Sequence, residues 1–491
     1  MTLFELLLDA VAAARDGLAV VTETESVTFG ELLARVETRA EQIASITEPG
    51  DRVAVLAQNG VEYVELYYAA PRAGRILVPL NHRLHPAEWQ ATLATSGATV
   101  LFGEPTLLER AAAVVDRVVP LTTQPGFVTS DASCAPQATN GVGIGHRNAD
   151  DAAWLIGTSG TTGSPKLAML SDANLLAAVD ATLPARPVGD DEVLLTPFPL
   201  CHVAGYNVFV AHRRARPIVL QRSFDPVGLA HLAREHGVTM LSLAPTMIAM
   251  LLDHPDVSDD DLATVRALGY GASPIPAPTL RRVIDRWNWD CSQGFGMTEL
   301  AGNAIFLGPE DHRAAAAGDD RLLAAAGRPS PGVDVRLGID NELLVRAPQV
   351  MRGYWNDPGA TAAALEDGWL HTGDVARIDA DGLISIVDRK KDVIVSGGEN
   401  VASREIEAVL YEHPAVQDVA VVGVPDERWG EHVCAVVVPC TPVDAETLIA
   451  HCRERLAGFK TPRRIEFVDA LPRNASGKVL KHQLRSGLTS R

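Results

Sequence analysis

The chain has 491 residues, 47% hydrophobic and 21% charged, with a formal net charge of -19. That length divides into more than one domain, and the composition is globular rather than disordered. The acidic balance excludes binding to nucleic acid through a basic stripe, yet leaves small anions such as nucleotides open, because those need only a few local donors.

The N-terminal stretch MTLFELLLDAVAAARDG carries Glu5 and Asp9 inside its apolar run and has no basic start. It predicts an amphipathic helix rather than a signal peptide. Residues 52–57 (RVAVLA), 61–74 and 76–80 (ILVPL) read as strand, helix, strand, since the apolar pattern is continuous, then periodic at 3.6, then continuous again. WLIGT (154–158) is a short strand ahead of a polar loop. Strands at 216–220, 238–244 and 265–271 then alternate with helices at 226–236, 246–255 and 276–287. Such alternation predicts an α/β fold: a large N-terminal domain of mainly parallel sheets covered by helices. The uncharged stretches near 193–212 and 239–252 contain Pro, Asn, Thr and Ser, which suits buried strand–turn–helix segments and no transmembrane segment.

After about residue 330, short strands separated by Gly/Asp turns predict a β-subdomain. Beyond Lys391 a compact α+β pattern begins, with helices at REIEAVLYEHP and AETLIAHCRERL and strands at DVAVVGVPD and EHVCAVVVP. The expected division is therefore an N-terminal domain, 1–390, and a small C-terminal domain, 391–491, with the charged run DRKKD at the joint. The six cysteines are scattered without a CxxC pair, which predicts reduced thiols, no cysteine metal site and a cytoplasmic protein.

The loop TSGTTGSPK (158–166) combines backbone-permissive glycines, five hydroxyls and one lysine, with no acidic residue. This is the chemistry of a phosphate cradle. It is not a Walker A loop, because Pro165 precedes the lysine and Leu167 follows it where a metal-binding hydroxyl belongs. Nor is it a nucleophile elbow, since Gly157-Thr158-Ser159-Gly160-Thr161 lacks the second glycine. Taken alone, the loop also reads as a flexible polar connection.

Four further stretches accompany it in order: GFGMTE (294–299), GWLHTGD (368–374), DRKKDVIVSGGENV (388–401) and PRNASGK (472–478). With these the chain resembles the adenylate-forming superfamily over essentially its whole length, and within it the acyl-CoA synthetases. The resemblance implies an ATP-dependent, AMP-forming ligase that uses Mg2+ and CoA. Thr158, Ser159, Gly160, Thr161, Thr162, Gly163 and Lys166 would hold the phosphates that leave as pyrophosphate. Gly271, Ala272, Gly294, Phe295, Gly296 and Met297 would line the adenine site, with Phe295 stacking where tyrosine is commoner. Thr298 would donate to the α-phosphate, and Glu299, with Thr161, would hold Mg2+. Asp374 would accept from the ribose hydroxyls beside Arg389. Lys478 would stabilise the charge that builds when a carboxylate attacks the α-phosphorus. Lys391 matches a hinge between two orientations of a mobile C-terminal domain, and Gly397, Gly398 and Glu399 would face the CoA arm in the second. Read singly, Asp374 is a turn residue and Lys478 a surface lysine.

On the acid side the resemblance places PLCHVAGYN (199–207) at the pocket. His202 would position the carboxylate and thioester, and Tyr206, Ala301 and Gly302 would line the cavity. A lone histidine there also reads as a core residue. The aspartate that amino-acid adenylators use for the α-amino group is missing from this segment, and no phosphopantetheine-attachment motif follows Lys478. The expected reaction is activation of an aliphatic or aromatic acid followed by transfer to CoA, by a monomer or homodimer. Leu167, Ser403 and Phe295 depart from the commonest family pattern. They keep open an adenylating enzyme with a different acceptor, such as an amine or carrier protein, or with an unusual small acid such as nitrite.

Overall fold

The computed structural model describes residues 1–111, 115, 117–121, 148–158, 165–271, 273, 275–323, 325–396, 399–426, 428–473 and 479–489. Ser159, Gly160, Thr161, Thr162, Gly163, Ala272, Gly397, Gly398 and Lys478, each expected to serve the site, lie outside them.

The N-terminal stretch forms the helix Leu3–Ala14, which buries Leu3, Leu6, Leu7, Ala10 and Val11 on one face. In the helix Phe29–Ile46, Thr28 and Glu31 cap each other's backbone, and Phe29, Leu32, Val36, Ala40 and Ile43 recur at helical spacing on its buried side. Each fully buried large apolar side chain of that stripe contributes about 1.5–3 kcal/mol. Across the stripe, Arg39 meets Glu65 at 3.0 Å, both almost fully buried.

Among the described residues the strands form four sheets. The first runs Arg117–Pro120, Val100–Gly103, Arg52–Leu56, Ile76–Pro79, Ala152–Thr158, Lys166–Ser171. Its neighbours are parallel except for the last pair. Val53, Ala54, Val55 and Leu56 are all 0% exposed, so both faces are covered, as a parallel sheet requires. The second sheet has a parallel centre made from Leu194–Thr196, Met240–Leu243, Ala267–Gly271 and Asp290–Met297. Gly302–Leu307 then returns antiparallel to Asp290–Met297. Gly294, Phe295, Gly296 and Met297 thus belong to a strand that begins at Asp290.

A third, antiparallel sheet contains Asp334–Leu337, Glu342–Arg346, Leu365–Glu366, Trp369–Ile378 and Ile384–Arg389, the expected β-subdomain. The fourth joins Glu399–Val401, Ile394–Ser396, Gly430–Pro439, Val416–Asp426 and Arg464–Phe467, with the helices Ser403–Tyr411 and Ala445–Arg453 on one face and Lys481–Thr489 on the other. Its two apolar clusters draw on residues from Ile394 onward. The architecture is a large N-terminal α/β domain with a β-subdomain and a small α+β C-terminal domain.

At the joint, Asp388 Oδ2 accepts from the backbone N–H of Ser403 at 2.5 Å and from its hydroxyl at 2.7 Å. Lys481 Nζ lies 2.6 Å from the same hydroxyl and 2.7 Å from Glu407. Lys391 stands exposed in the turn between Ile384–Arg389 and Ile394–Ser396. Among the described residues no helix is long and apolar enough to cross a membrane.

Candidate active site

Ligand sites in parallel sheets form beyond the C-terminal ends of the strands. Thr158 ends one such strand, and its register partner Lys166 opens the antiparallel strand that follows the loop. Leu167, flagged by sequence as a departure, is 1% exposed and packs with Leu155 and Trp89. Its side chain belongs to the core below the loop, and its carbonyl accepts from the N–H of Trp355 at 2.8 Å.

Gly271 and Gly294 face each other in register at the ends of two parallel strands. A Cβ on Gly271 would stand 2.5 Å from the Gly294 carbonyl oxygen, so glycine is needed for this close approach. Phe295 is partly buried and packs against the main apolar cluster, next to a bulge at Phe295–Gly296. Met297 ends the strand, and Thr298, Glu299 and Leu300 form a single 3-10 turn. Ala301 then adopts φ 52°, which turns the chain back into Gly302–Leu307.

The segment Met351–Trp355 brings the two sheets together. Its backbone bonds to Leu167 and Met169 on one side and to Glu299 on the other, where Met351 N–H donates to the Glu299 carbonyl at 2.8 Å. This places Tyr354 between the sheets. Its hydroxyl donates to Glu299 Oε1 at 2.7 Å, and Lys166 Nζ lies 5.3 Å from the centre of its ring. Burial, then the neighbouring Glu299 charge, pushes the Tyr354 hydroxyl well above its ordinary pKa, which keeps it a donor. Glu299 is 7% exposed, and among the described residues no hydrogen bond or ion pair engages its Oε2. A carboxylate with one oxygen left open in this way has the chemistry of a Mg2+ ligand. Sequence reasoning missed Tyr354 because nothing local in MRGYWND marks it; the link is made by tertiary pairing.

Asp374 and Arg389 are register partners across two antiparallel strands, with Arg389 Nε 2.7 Å from Asp374 Oδ1. Asp374 is 1% exposed, and its N–H donates to Thr372 Oγ1 at 3.1 Å. The pair sets a carboxylate beside a guanidinium where the middle of Trp369–Ile378 meets the end of Ile384–Arg389. Glu399 is exposed in the C-terminal domain.

His202 immediately precedes the 3-10 turn Val203–Tyr206, with its Nε2 3.5 Å from Asn81 Nδ2. Burial, then the Arg83 and His82 charges, lowers its pKa to about 4, so the imidazole is neutral at ordinary pH. Asn81 is a second residue that sequence reasoning passed over; its position directly after the apolar run ILVPL was the available signal. Burial pushes the Cys201 thiol up to about 12, which excludes it as a nucleophile. Tyr206 is 2% exposed; its hydroxyl meets Thr182 Oγ1 and Asn303 Nδ2, each at 3.1 Å. Its ring lies flat over Gly302, where a Cβ would come within 3.1 Å of it. Tyr206, Ala301 and Gly302 thus stand together beside the strand Asp290–Met297, with His202 at the head of the turn that carries Tyr206.

The family described as "AMP-binding enzyme" matches residues 7–355, and "AMP-binding enzyme C-terminal domain" matches residues 405–478. A feruloyl-CoA synthase from Amycolatopsis sp is 39% identical over 475 residues, 94% of each chain. The solved o-succinylbenzoate coenzyme A synthetase from Bacillus subtilis, in complex with ATP and magnesium ion, is similar with a TM-score of 0.86 at 30% identity, over 98% of both chains. An amide bond synthetase from Marinactinospora thermotolerans is similar with a TM-score of 0.87 at 31% identity, over 99% of both.

Proposed function

The chain belongs to the AMP-binding enzyme family and is an ATP-dependent acid–CoA ligase, and from that premise we propose the acid it takes and the residue roles that carry the reaction. The acid is aromatic, a reading supported by the likeness to a feruloyl-CoA synthase and by a pocket segment in which Tyr206 lies flat over Gly302.

In the first half-reaction a carboxylate oxygen of the acid attacks the α-phosphorus of ATP. The bond to the β-phosphate bridging oxygen breaks and pyrophosphate leaves. Lys166 and the loop before it take the leaving phosphates. Asp374 and Arg389 hold the ribose, and Phe295 stacks on adenine. Mg2+, held by Glu299 with Thr161, would neutralise phosphate charge. Lys478 steadies the charge on the α-phosphate as the carboxylate adds. In the second half-reaction the CoA thiol attacks the acyl carbonyl and AMP departs. Neutral His202, oriented by Asn81, positions the carbonyl. Rotation about Lys391 withdraws Lys478 and presents the strand with Glu399 for CoA. The division at residues 390 and 391 serves this rotation, and the free cysteines among the described residues favour a cytoplasmic setting.

The observation that carries this reading is the Tyr354–Glu299–Lys166 arrangement, which puts a buried carboxylate and a phosphate-loop lysine around one ring at the strand ends. Identification of the nucleotide product with a panel of aromatic acids tests it: AMP, pyrophosphate and the CoA thioester are expected.

A further inference from the structure

Arg186 follows the helix Asp172–Thr182 and is 6% exposed. Its Nη1 reaches Asn207 Oδ1 at 3.3 Å, and its Nε is buried without a hydrogen-bond partner. Among the described residues no carboxylate forms an ion pair with it. A guanidinium taken out of water without an anion is costly, so an isolated one inside a core calls for a partner that the fold itself does not supply.

Its position says where that partner comes from. In the strand Ala267–Gly271, Leu268 and Tyr270 point into one apolar cluster. Gly269 and Gly271 therefore share the opposite face. A Cβ on Gly269 would collide with Cζ and Nε of Arg186, so the guanidinium lies directly over Gly269, on the face that Gly271 presents to the nucleotide site. The next strand continues the same surface with Ser292 and Gly294, in register with Gly269 and Gly271. Ser292 also ties Arg186 in place, because its hydroxyl donates to the Ala185 carbonyl at 2.9 Å. Over this glycine-lined surface stand Tyr206, Asn207 and Asn303, the side already assigned to the acid. Burial lowers the Arg186 pKa while the Tyr206 hydroxyl beside it acts the other way.

We propose that Arg186, with Asn207 beside it, is a specificity subsite that binds a hydrogen-bond-accepting oxygen carried by the acid at the end remote from its reacting carboxylate. The inference rests on the acid–CoA ligase reading and adds to it a substrate class: aromatic acids with a distal phenol or second carboxylate, in preference to acids that end in hydrocarbon. Sequence reading had no access to it, because Arg186 lies in the unremarkable stretch LPARPVG and its isolation is a tertiary fact.

The test uses the full-length enzyme with ATP, Mg2+, CoA and three matched acids: cinnamate, 4-hydroxycinnamate and 4-carboxycinnamate. The wild-type enzyme is expected to favour at least one oxygen-bearing acid over cinnamate by about tenfold or more in kcat/KM, and Arg186→Met to bring that ratio to within about threefold of unity. A larger gain with the carboxylate marks an anion as the natural partner, and a larger gain with the phenol a neutral acceptor. Equal kcat/KM for all three acids in the wild-type enzyme overturns the proposal even if the variant fails to fold. A preference that survives in folded Arg186→Met overturns it as well. Failure of every acid to yield AMP contradicts the ligase reading itself, and the subsite with it.

Discussion

The Tyr354 hydroxyl donates to Glu299 across 2.7 Å while the Lys166 ammonium lies 5.3 Å from the same ring. One aromatic side chain thereby links the proposed metal carboxylate to the phosphate loop. Hydrogen bonds to charged groups contribute about 1.5–3 kcal/mol. Tyr354→Phe should therefore lower kcat/KM for adenylate formation by roughly 10–100-fold, with a steeper dependence on Mg2+ concentration, and Glu299→Gln should lower it further. Pyrophosphate release across a Mg2+ titration reads both. Unchanged Mg2+ dependence in Tyr354→Phe would contradict the link.

Lys478 is expected to serve only the first half-reaction. Lys478→Ala should abolish adenylate formation and largely spare thioester formation from supplied acyl-adenylate and CoA. Equal loss of both steps would argue against two domain orientations.

His212 is 1% exposed; its Nδ1 lies 2.7 Å from the Tyr68 hydroxyl and its Nε2 3.1 Å from the Ala19 carbonyl. With Nε2 donating to the carbonyl and Nδ1 accepting from the phenol, both partners suit a neutral ring. Burial lowers its pKa to about 4 against an ordinary 6.5, although the bond to Ala19 opposes this. The unfolded chain binds the proton first as pH falls, so stability declines from pH 6.5 towards 4 and the loss is complete below that. The His212 share is about 3 kcal/mol. Urea melts between pH 4 and 7 should show a flatter profile for His212→Gln, even though that variant is less stable at pH 7. Parallel profiles would refute the assignment.

Ser403 gives Asp388 two donors at the domain joint, and Lys481 braces its hydroxyl. Ser403→Ala keeps the amide and should cost about 1–3 kcal/mol. Ser403→Pro removes both donors from a carboxylate that is 1% exposed and should cost more. It should also make the C-terminal domain easier to cleave by limited proteolysis. A proline variant as stable as the alanine variant would show that the amide bond contributes nothing.

These details mark how far the sequence could be read. The strands at 52–56, 76–79, 240–243 and 267–271 were legible because their apolar runs are continuous and their connecting helices periodic. The site motifs stood out in the sequence because each is a short local stretch, and the fold pairs two of them directly at Asp374 and Arg389. Leu167 and Ser403 stood out in the sequence as departures without a physical account. The fold supplies one for each, since the first fills the core beneath the loop and the second holds Asp388. Tyr354, Asn81 and Arg186 stayed invisible because their partners are 55, 121 and 21 residues away and no periodicity marks a pairing of that kind.

The most direct test of the central claim follows the nucleotide. The full-length protein is incubated with ATP labelled at the α-phosphate, Mg2+, CoA and 4-hydroxycinnamate, and the products are separated. The account predicts AMP, pyrophosphate and the acyl-CoA thioester in equal amounts, with AMP release dependent on the acid. Labelled ADP, or AMP formed at a rate indifferent to the acid, would contradict it.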